Sequence, residues 1–251
     1  MPFGLVNSGA TFCKMMRKLL HGLESVENFV DDIIDYTKDW NHHVSSLQEL
    51  FERLRAAHLT ARPSKCYFGY SSLCFLGHLV GQGQIKPNPE KVETIKNCNR
   101  PNNKKQVRSF LGLVGYYRKF IPHFSTIASV LTDMTKKGAP NVVAWSDAAE
   151  TSFRSLIRHI TQSPILCLPD IDKQFILRTD ASDVGIGAVL MQEISGTKFP
   201  VAFASRKLLP REQRYSVIEK ECLGIVWGIQ KFFQYVYGTE FILETDHAPL
   251  V

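Results

Sequence analysis

No apolar run in this sequence approaches the roughly 20 residues that a membrane-spanning helix needs, so no membrane partner is predicted. Cysteine is sparse and scattered: Cys13, Cys66, Cys74, Cys98, Cys167 and Cys222 include no C-x-x-C pair. That spacing argues against a zinc site or a disulfide framework and predicts reduced thiols in an intracellular protein. The start, MPFGLVNSGATF, lacks the basic and long apolar regions of a secretory signal. Neither a solenoid-period repeat nor a low-complexity segment is present. What remains is 251 residues with 44% hydrophobic content, enough for a sizeable core and one or two domains.

Acidic residues are also scarce where cations are dense. Residues 100–140 hold eight Lys and Arg against the single acid Asp133, an excess larger than the +6 of the whole chain. Such a concentration is the footprint of a phosphate-binding surface; a solvated helical face is the alternative. Lys104, Lys105, Arg108, Arg118 and Lys119 are the candidate nucleic-acid contacts.

Hydrophobic periodicity places helices over 8–23 and 42–59, the latter with Val44, Leu47, Leu50, Phe51 and Leu54 as its buried stripe. Residues 66–85 read as short strands and turns. Asn88 and Pro89 open another helix, two basic helices fill 102–137, and Ser146 or Asp147 caps a further one. From Lys173 the pattern changes: strands at 173–180, 188–193 and 241–246, with a long helix over 215–238 that presents Ile218, Cys222, Ile225, Ile229 and Phe233 on one face.

Two acidic constellations carry candidate chemistry. In VENFVDDIIDYT, Asp31 and Asp32 separate two strand-like runs, in hairpin format but without the Asn-Gly, Asp-Gly or Gly-first pair that such turns favour. Both carboxylates can then face one site; a solvent-exposed acidic turn is the alternative. In the second, FILRTD (175–180) and FILETD (241–246) differ at one position, and each delivers Thr-Asp at its end. If these strands lie side by side and parallel, Asp180 and Asp246 emerge at one sheet edge, where sites form in α/β sheets. Glu221 is followed by Gly224 and Gly228, a track that lets its helix face approach the sheet. Three acids in one place call for divalent cations, and a metal pair clamping a phosphodiester is the common solution. All-oxygen donors point to Mg²⁺ or Mn²⁺; three unrelated surface acids are the alternative. Glu219 rivals Glu221 but lacks the glycine track.

These residues resemble a known family. FVDD resembles the Y-x-D-D motif of reverse transcriptases, and PFGLVNSGATF the preceding motif of gypsy-type LTR-retrotransposon Pol polyproteins. FLGHLVGQGQIKPNPEKVETI and VRSFLGLVGYYRKFIPHFS are similar to the primer-grip and thumb segments. RTDASDVGIGAVLMQ, YSVIEKECLGIVWGIQKF and LETDHAPL resemble the RNase H domain behind them. The resemblance implies an α+β fold: a partial palm over 1–85, a helical basic thumb and connection over 86–170, and a truncated RNase H-like α/β domain over 171–251. It implies Asp31 and Asp32 as polymerase metal ligands, and Asp180, Glu221 and Asp246 as RNase H catalytic and metal-binding acids. Phe3 and Gly4 fall in the nucleotide pocket, and Leu76 and Gly77 in the primer grip.

The implied activities are RNA-directed DNA synthesis and hydrolysis of RNA in RNA–DNA hybrids. The implied partners are RNA–DNA hybrid or DNA template-primer, deoxynucleotides and the remainder of the Pol polyprotein. The family's first polymerase aspartate lies upstream of PFGL and its fourth RNase H acid beyond Val251, so both sites are expected to be incomplete in this chain. A catalytically inactive remnant that binds nucleic acid is the competing expectation.

Overall fold

The computed structural model describes residues 4–162 and 164–246, which form two compact units, 1–71 and 72–251. In the first, helix α1 (Ser8–Leu20) is followed by strands β1 (Val26–Phe29) and β2 (Asp32–Asp35) and helix α2 (Trp40–Ala56). Met16, Leu20, Val26, Leu50 and Leu54 form its core. Of the stripe expected on α2, Leu50 and Leu54 are buried while Val44 and Phe51 are exposed. Asp39 caps α2, its side chain accepting from His42 N–H, and Arg53 closes α1 by donating to the carbonyls of Leu19 and His21 at 3.0 and 2.7 Å.

The second unit opens with an antiparallel sheet of β3 (Ser72–Phe75), β4 (His78–Gly81) and β5 (Gln84–Pro87). Helices α3 (Pro89–Lys96), α4 (Lys104–Tyr116), α5 (Phe124–Ile127), α6 (Ser129–Asp133) and α7 (Asp147–Thr161) follow. Both predicted caps form: Asn88 accepts from Glu90 N–H with Pro89 at the first helical position, and Ser146 accepts from Ala149 N–H. The two basic helices expected over 102–137 are one long helix, α4, and two short ones, because Pro122 and the left-handed His123 (φ 50°) interrupt the run.

Strand β6 (Leu166–Cys167) pairs with β5. Residues 72–85 belong to the second compact unit, whose limits differ from the boundaries expected at 85/86 and 170/171. The latter boundary is bridged by Ser125, which donates through its N–H and its hydroxyl to Oγ and the carbonyl of Ser205, at 2.9 and 2.7 Å.

The remaining sheet contains β7 (Phe175–Ala181), β8 (Gly185–Ile194), β9 (Thr197–Lys207) and β10 (Phe241–Glu244), in the order β10-β7-β8-β9. Strands β7 and β10 are parallel and the other pairs antiparallel. Helices α8 (Val217–Lys231) and α9 (Phe233–Val236) divide the predicted long helix at Phe232. Phe175, Leu177, Ala188, Leu190, Val201, Ala204, Phe232 and Val236 make the core of this half. The apolar face predicted for α8 is only partly packed: Ile218 and Phe233 are exposed and Ile229 packs against the core, whereas Lys220, Glu221, Gly224 and Gly228 are buried. The glycine track thus seats the helix on the sheet, with Trp227 and Ile229 packed against the core beside it. Strand β9 is absent from the predicted elements; its Pro200 interrupts the pattern, and the ladder shifts register at Leu190/Met191 opposite it.

Candidate functional site

Parallel pairing of β7 and β10 sets Phe241 against Phe175, Ile242 against Ile176, Leu243 against Leu177 and Glu244 against Arg178. The single position at which FILRTD and FILETD differ is thus a cross-strand ion pair. Arg178 Nε and Nη2 donate to Glu244 Oε2 at 2.9 and 2.6 Å, and Lys198 pairs with Oε1. The Lys198 and Arg178 hydrogen bonds hold the Glu244 carboxyl below the usual range despite partial desolvation. The pair fixes the register that brings Asp180 and Asp246 out at the same end of the sheet.

Helix α8 supplies the third acid. A Cβ on Gly228 would lie 3.0 Å from Thr179 Cγ2, 3.4 Å from Ala188 Cβ and 3.6 Å from Leu177 Cδ2, so the helix backbone rests directly on β7 and β8. This approach buries Glu221, whose Oε1 accepts from Ala181 N–H at 3.3 Å. The preceding residue, Lys220, is buried along its stem and donates to Asp183 Oδ1 at 2.8 Å, tying the turn after β7 to α8 and lowering the Asp183 pKa. One carboxylate oxygen from each of Asp180, Glu221 and Asp246 lies within 4.8 Å of the others. Glu219, the rival acid, is occupied in a capping box with Ser216, and that bonding holds its pKa down.

In the first unit, Asp31 and Asp32 occupy the exposed tip of the β1–β2 hairpin, but one position out from the expected register. Phe29 pairs with Asp32, so the two-residue loop is Val30-Asp31 and Asp32 opens β2. Val30 takes φ 57°, a conformation that a β-branched residue adopts only under strain. Asn28 Nδ2 donates to the Val30 carbonyl at 3.0 Å and props the loop. A third acid, Asp35, turns inward: its side chain is 5% exposed, with Oδ2 3.6 Å from His43 Nδ1. Gly4 lies in the turn before α1 at φ 89°, and Phe3 lies outside the described residues.

Leu76 and Gly77 form the loop between β3 and β4, both at positive φ (44° and 68°), the backbone pattern of a type I′ hairpin. Tyr116 and Tyr117 at the end of α4 donate to the carbonyls of Leu76 and Gly77 at 2.6 and 2.8 Å. His78 stacks between Tyr116 and Phe120, at 5.3 and 5.7 Å between ring centroids, and its pKa is lowered by burial first and the Lys119 charge second.

The basic segment divides by role. Lys104 Nζ donates to the carbonyls of Lys136 and Ala139, and Arg108 Nη2 to the Thr135 carbonyl at 3.0 Å, so both stitch α4 to the 135–139 turn. Lys119 lies over the Phe120 ring, its pKa lowered by desolvation, while Lys105 and Arg118 are exposed. Sequence reasoning missed His123, whose Nδ1 lies 3.8 Å from Asp180 Oδ2; nothing in its local motif signals that proximity.

Residues 1–80 match the family described as reverse transcriptase (RNA-dependent DNA polymerase), and residues 145–243 match the RNase H-like domain found in reverse transcriptase. The whole chain is 42% identical over 252 residues to the retrovirus-related Pol polyprotein from transposon 297 of Drosophila melanogaster, covering 23% of that relative. It is 36% identical over 266 residues to that from transposon gypsy of the same organism, covering 25%. The chain thus spans about a quarter of the length of these curated relatives. Among solved structures, the foamy viral protease-reverse transcriptase dRH in complex with double-stranded DNA superposes with a TM-score of 0.88 at 23% identity, over 98% of this chain and 43% of that one. The same viral protein in complex with RNA/DNA hybrid gives 0.87 at 22% identity, over 98% and 33%. By its two family matches and by likeness along its entire length to such polyproteins, the chain belongs to the reverse transcriptase–RNase H region of gypsy-type retrotransposon Pol polyproteins.

Proposed function

We propose that this chain is a fragment of a protein that carries out RNA-directed DNA synthesis and the hydrolysis of RNA in RNA–DNA hybrids, with residues 1–85 as palm, 86–170 as thumb and connection, and 171–251 as RNase H-like domain. The observation that carries the reading is the convergence of Asp180, Glu221 and Asp246, three chain-distant acids with oxygens within 4.8 Å. Like charges this close repel one another, and a bound cation offsets that repulsion. The donor set fits Mg²⁺ or Mn²⁺: all three ligands are hard oxygens. Such ions, when bound, stabilise the charge that develops on the attacking and leaving oxygens of a phosphodiester.

The chain's own residues prepare that site. The Ala181 N–H orients buried Glu221, while half-exposed Asp180 remains open to a nucleic-acid backbone. The Arg178–Glu244 pair fixes the strand register, and the Lys220–Asp183 pair fixes the adjoining turn. In the polymerase half, Asp31 and Asp32 are the metal-binding acids, Phe3 and Gly4 border the deoxynucleotide, and the Leu76–Gly77 loop meets the primer. Lys105 and Arg118 take phosphates of the template-primer, with Lys104, Arg108 and Lys119 adding charge while serving the thumb's own packing.

Incubation of the 251-residue chain with a 5′-labelled RNA–DNA hybrid and Mn²⁺ tests the reading. RNA-strand cleavage that disappears with EDTA and in Asp180→Asn is expected. Equal cleavage by wild type and Asp180→Asn would overturn it.

A further inference from the structure

The loop after α2 in the first unit carries aromatic rings where a surface loop commonly carries polar side chains. Tyr67, Phe68 and Tyr70, together with Trp40 at the start of α2, are each between 52% and 68% exposed. Single exposed apolar residues are commonplace, but a contiguous patch of them marks an interaction site. Here the rings are contiguous and held. Tyr67 and Tyr70 meet edge to face with centroids 6.0 Å apart, and Phe68 meets Phe51 of α2 at 6.1 Å. Gly69, at φ 68°, leaves room for Trp40: an added Cβ would lie 3.1 Å from the indole. The indole thus rests on the loop backbone between Phe68 and Tyr70.

Charge singles out one kind of partner. No Asp or Glu occurs from Arg53 to Pro89, and within the first unit that stretch holds Arg55, Arg62 and Lys65. Arg62 and Lys65 bracket a single 3₁₀ turn just before Tyr67; both are exposed, and among the described residues no ion pair occupies either. Exposed rings beside free cations suit a strand whose bases are unpaired, since bases stack on the rings while phosphates meet the cations. A duplex buries its base faces in its own stack and offers the rings nothing. An apolar protein surface would use the rings but not the cations. We propose that Trp40, Tyr67, Phe68 and Tyr70, with Arg62 and Lys65, form a stacking platform for single-stranded nucleic acid. It adds base stacking to the phosphate contacts ascribed to Lys105 and Arg118, and it does not depend on the metal-binding reading of the acidic cluster.

Fluorescence anisotropy of a short labelled oligo(dT), titrated with the full chain, tests the platform. Tyr67→Ala with Tyr70→Ala is expected to weaken binding about fivefold or more, the least that losing one stacked base costs. Its salt dependence and its affinity for blunt duplex DNA should stay as in wild type. Arg62→Ala with Lys65→Ala should instead flatten the slope of log K against log salt by up to about 1.4 units, at roughly 0.7 per phosphate on a single strand. All four side chains are exposed, so both variants should keep the wild-type circular dichroism and melting temperature. Unchanged oligo(dT) affinity in the tyrosine variant overturns the proposal. An equal loss for oligo(dT) and duplex in that variant also overturns it, because stacking on unpaired bases would then play no part. Unchanged oligo(dT) affinity with a loss of self-association in sedimentation would assign the rings to a second copy of the chain instead.

Discussion

Two alanine substitutions on α8 should act with opposite signs. In an ordinary helix interior each glycine-to-alanine change stabilises by about 1 kcal/mol through backbone entropy. At Gly224 an added Cβ would meet Asp180 O at 3.9 Å and Ile186 Cγ2 at 4.0 Å, ordinary contacts, so most of that gain should survive. At Gly228 the same methyl would lie 3.0 Å from Thr179 Cγ2 and 3.4 Å from Ala188 Cβ. Neither neighbour can yield easily: Thr179 is 2% exposed with a branched Cβ, and the Ala188 methyl is fixed to β8. Overpacking of this kind costs about 1–3 kcal/mol, so Gly228→Ala should come out destabilised by about 1 kcal/mol after the entropic gain. For a unit of this size that difference moves the melting temperature by about 2–4 °C. Urea unfolding of the two variants measures the sign directly. The outward push should also lift Glu221, seven residues or about 10 Å further along the helix, and weaken Mn²⁺ binding in Gly228→Ala more than in Gly224→Ala. If Gly228→Ala stabilises as much as Gly224→Ala, the close helix–sheet contact that positions Glu221 is not there.

Val30→Gly should stabilise the β1–β2 hairpin by about 1 kcal/mol, because relief of the positive φ outweighs the extra unfolded-state entropy; equal or lower stability in urea would refute the strain. Stability should fall with pH below about 6.5, the ordinary histidine value, as burial holds His78 and His159 below it. The folded state then binds fewer protons than the unfolded one, so stability is full above that value and lost as pH drops toward the folded pKa values. His78→Phe, which keeps the ring stack, should flatten this slope between pH 6.5 and 5; an unchanged slope would remove His78 from the account. On duplex DNA, Lys105→Ala with Arg118→Ala should flatten the dependence of log K on log salt by up to about two units. Lys104→Ala should instead lower the melting temperature, since its ammonium is committed to the 136–139 carbonyls; the reverse pattern would show that the two groups had been misassigned.

The acidic cluster was legible because its cause is local and repeated. Two near-identical apolar runs ending in Thr-Asp signal paired strands, and glycine spacing signals a helix pressed on a sheet. The Asp-Asp hairpin was legible as a hairpin but not in register, since its loop begins at a valine that turn chemistry disfavours. Strand β9 was hidden by Pro200, which a strand tolerates here only beside the register shift in the β8–β9 ladder. Periodicity gave only part of the contact face of α8, because two glycines and a buried acid share it with Trp227 and Ile229, while Ile218 is exposed. Charge density similarly overstated the free cations in 100–140: Lys104 and Arg108 serve backbone carbonyls brought near by tertiary packing. His123 was invisible because its meeting with Asp180 spans 57 residues of sequence and depends on glycines in a third segment.

The central claim is that Asp180, Glu221 and Asp246 together form a divalent-metal site, and isothermal titration of Mn²⁺ into the full chain tests it most directly. Saturable heat in wild type that is lost in Asp180→Asn and in Glu221→Gln, with far-ultraviolet circular dichroism unchanged, is the predicted result. Identical titration curves for wild type and both variants would contradict it.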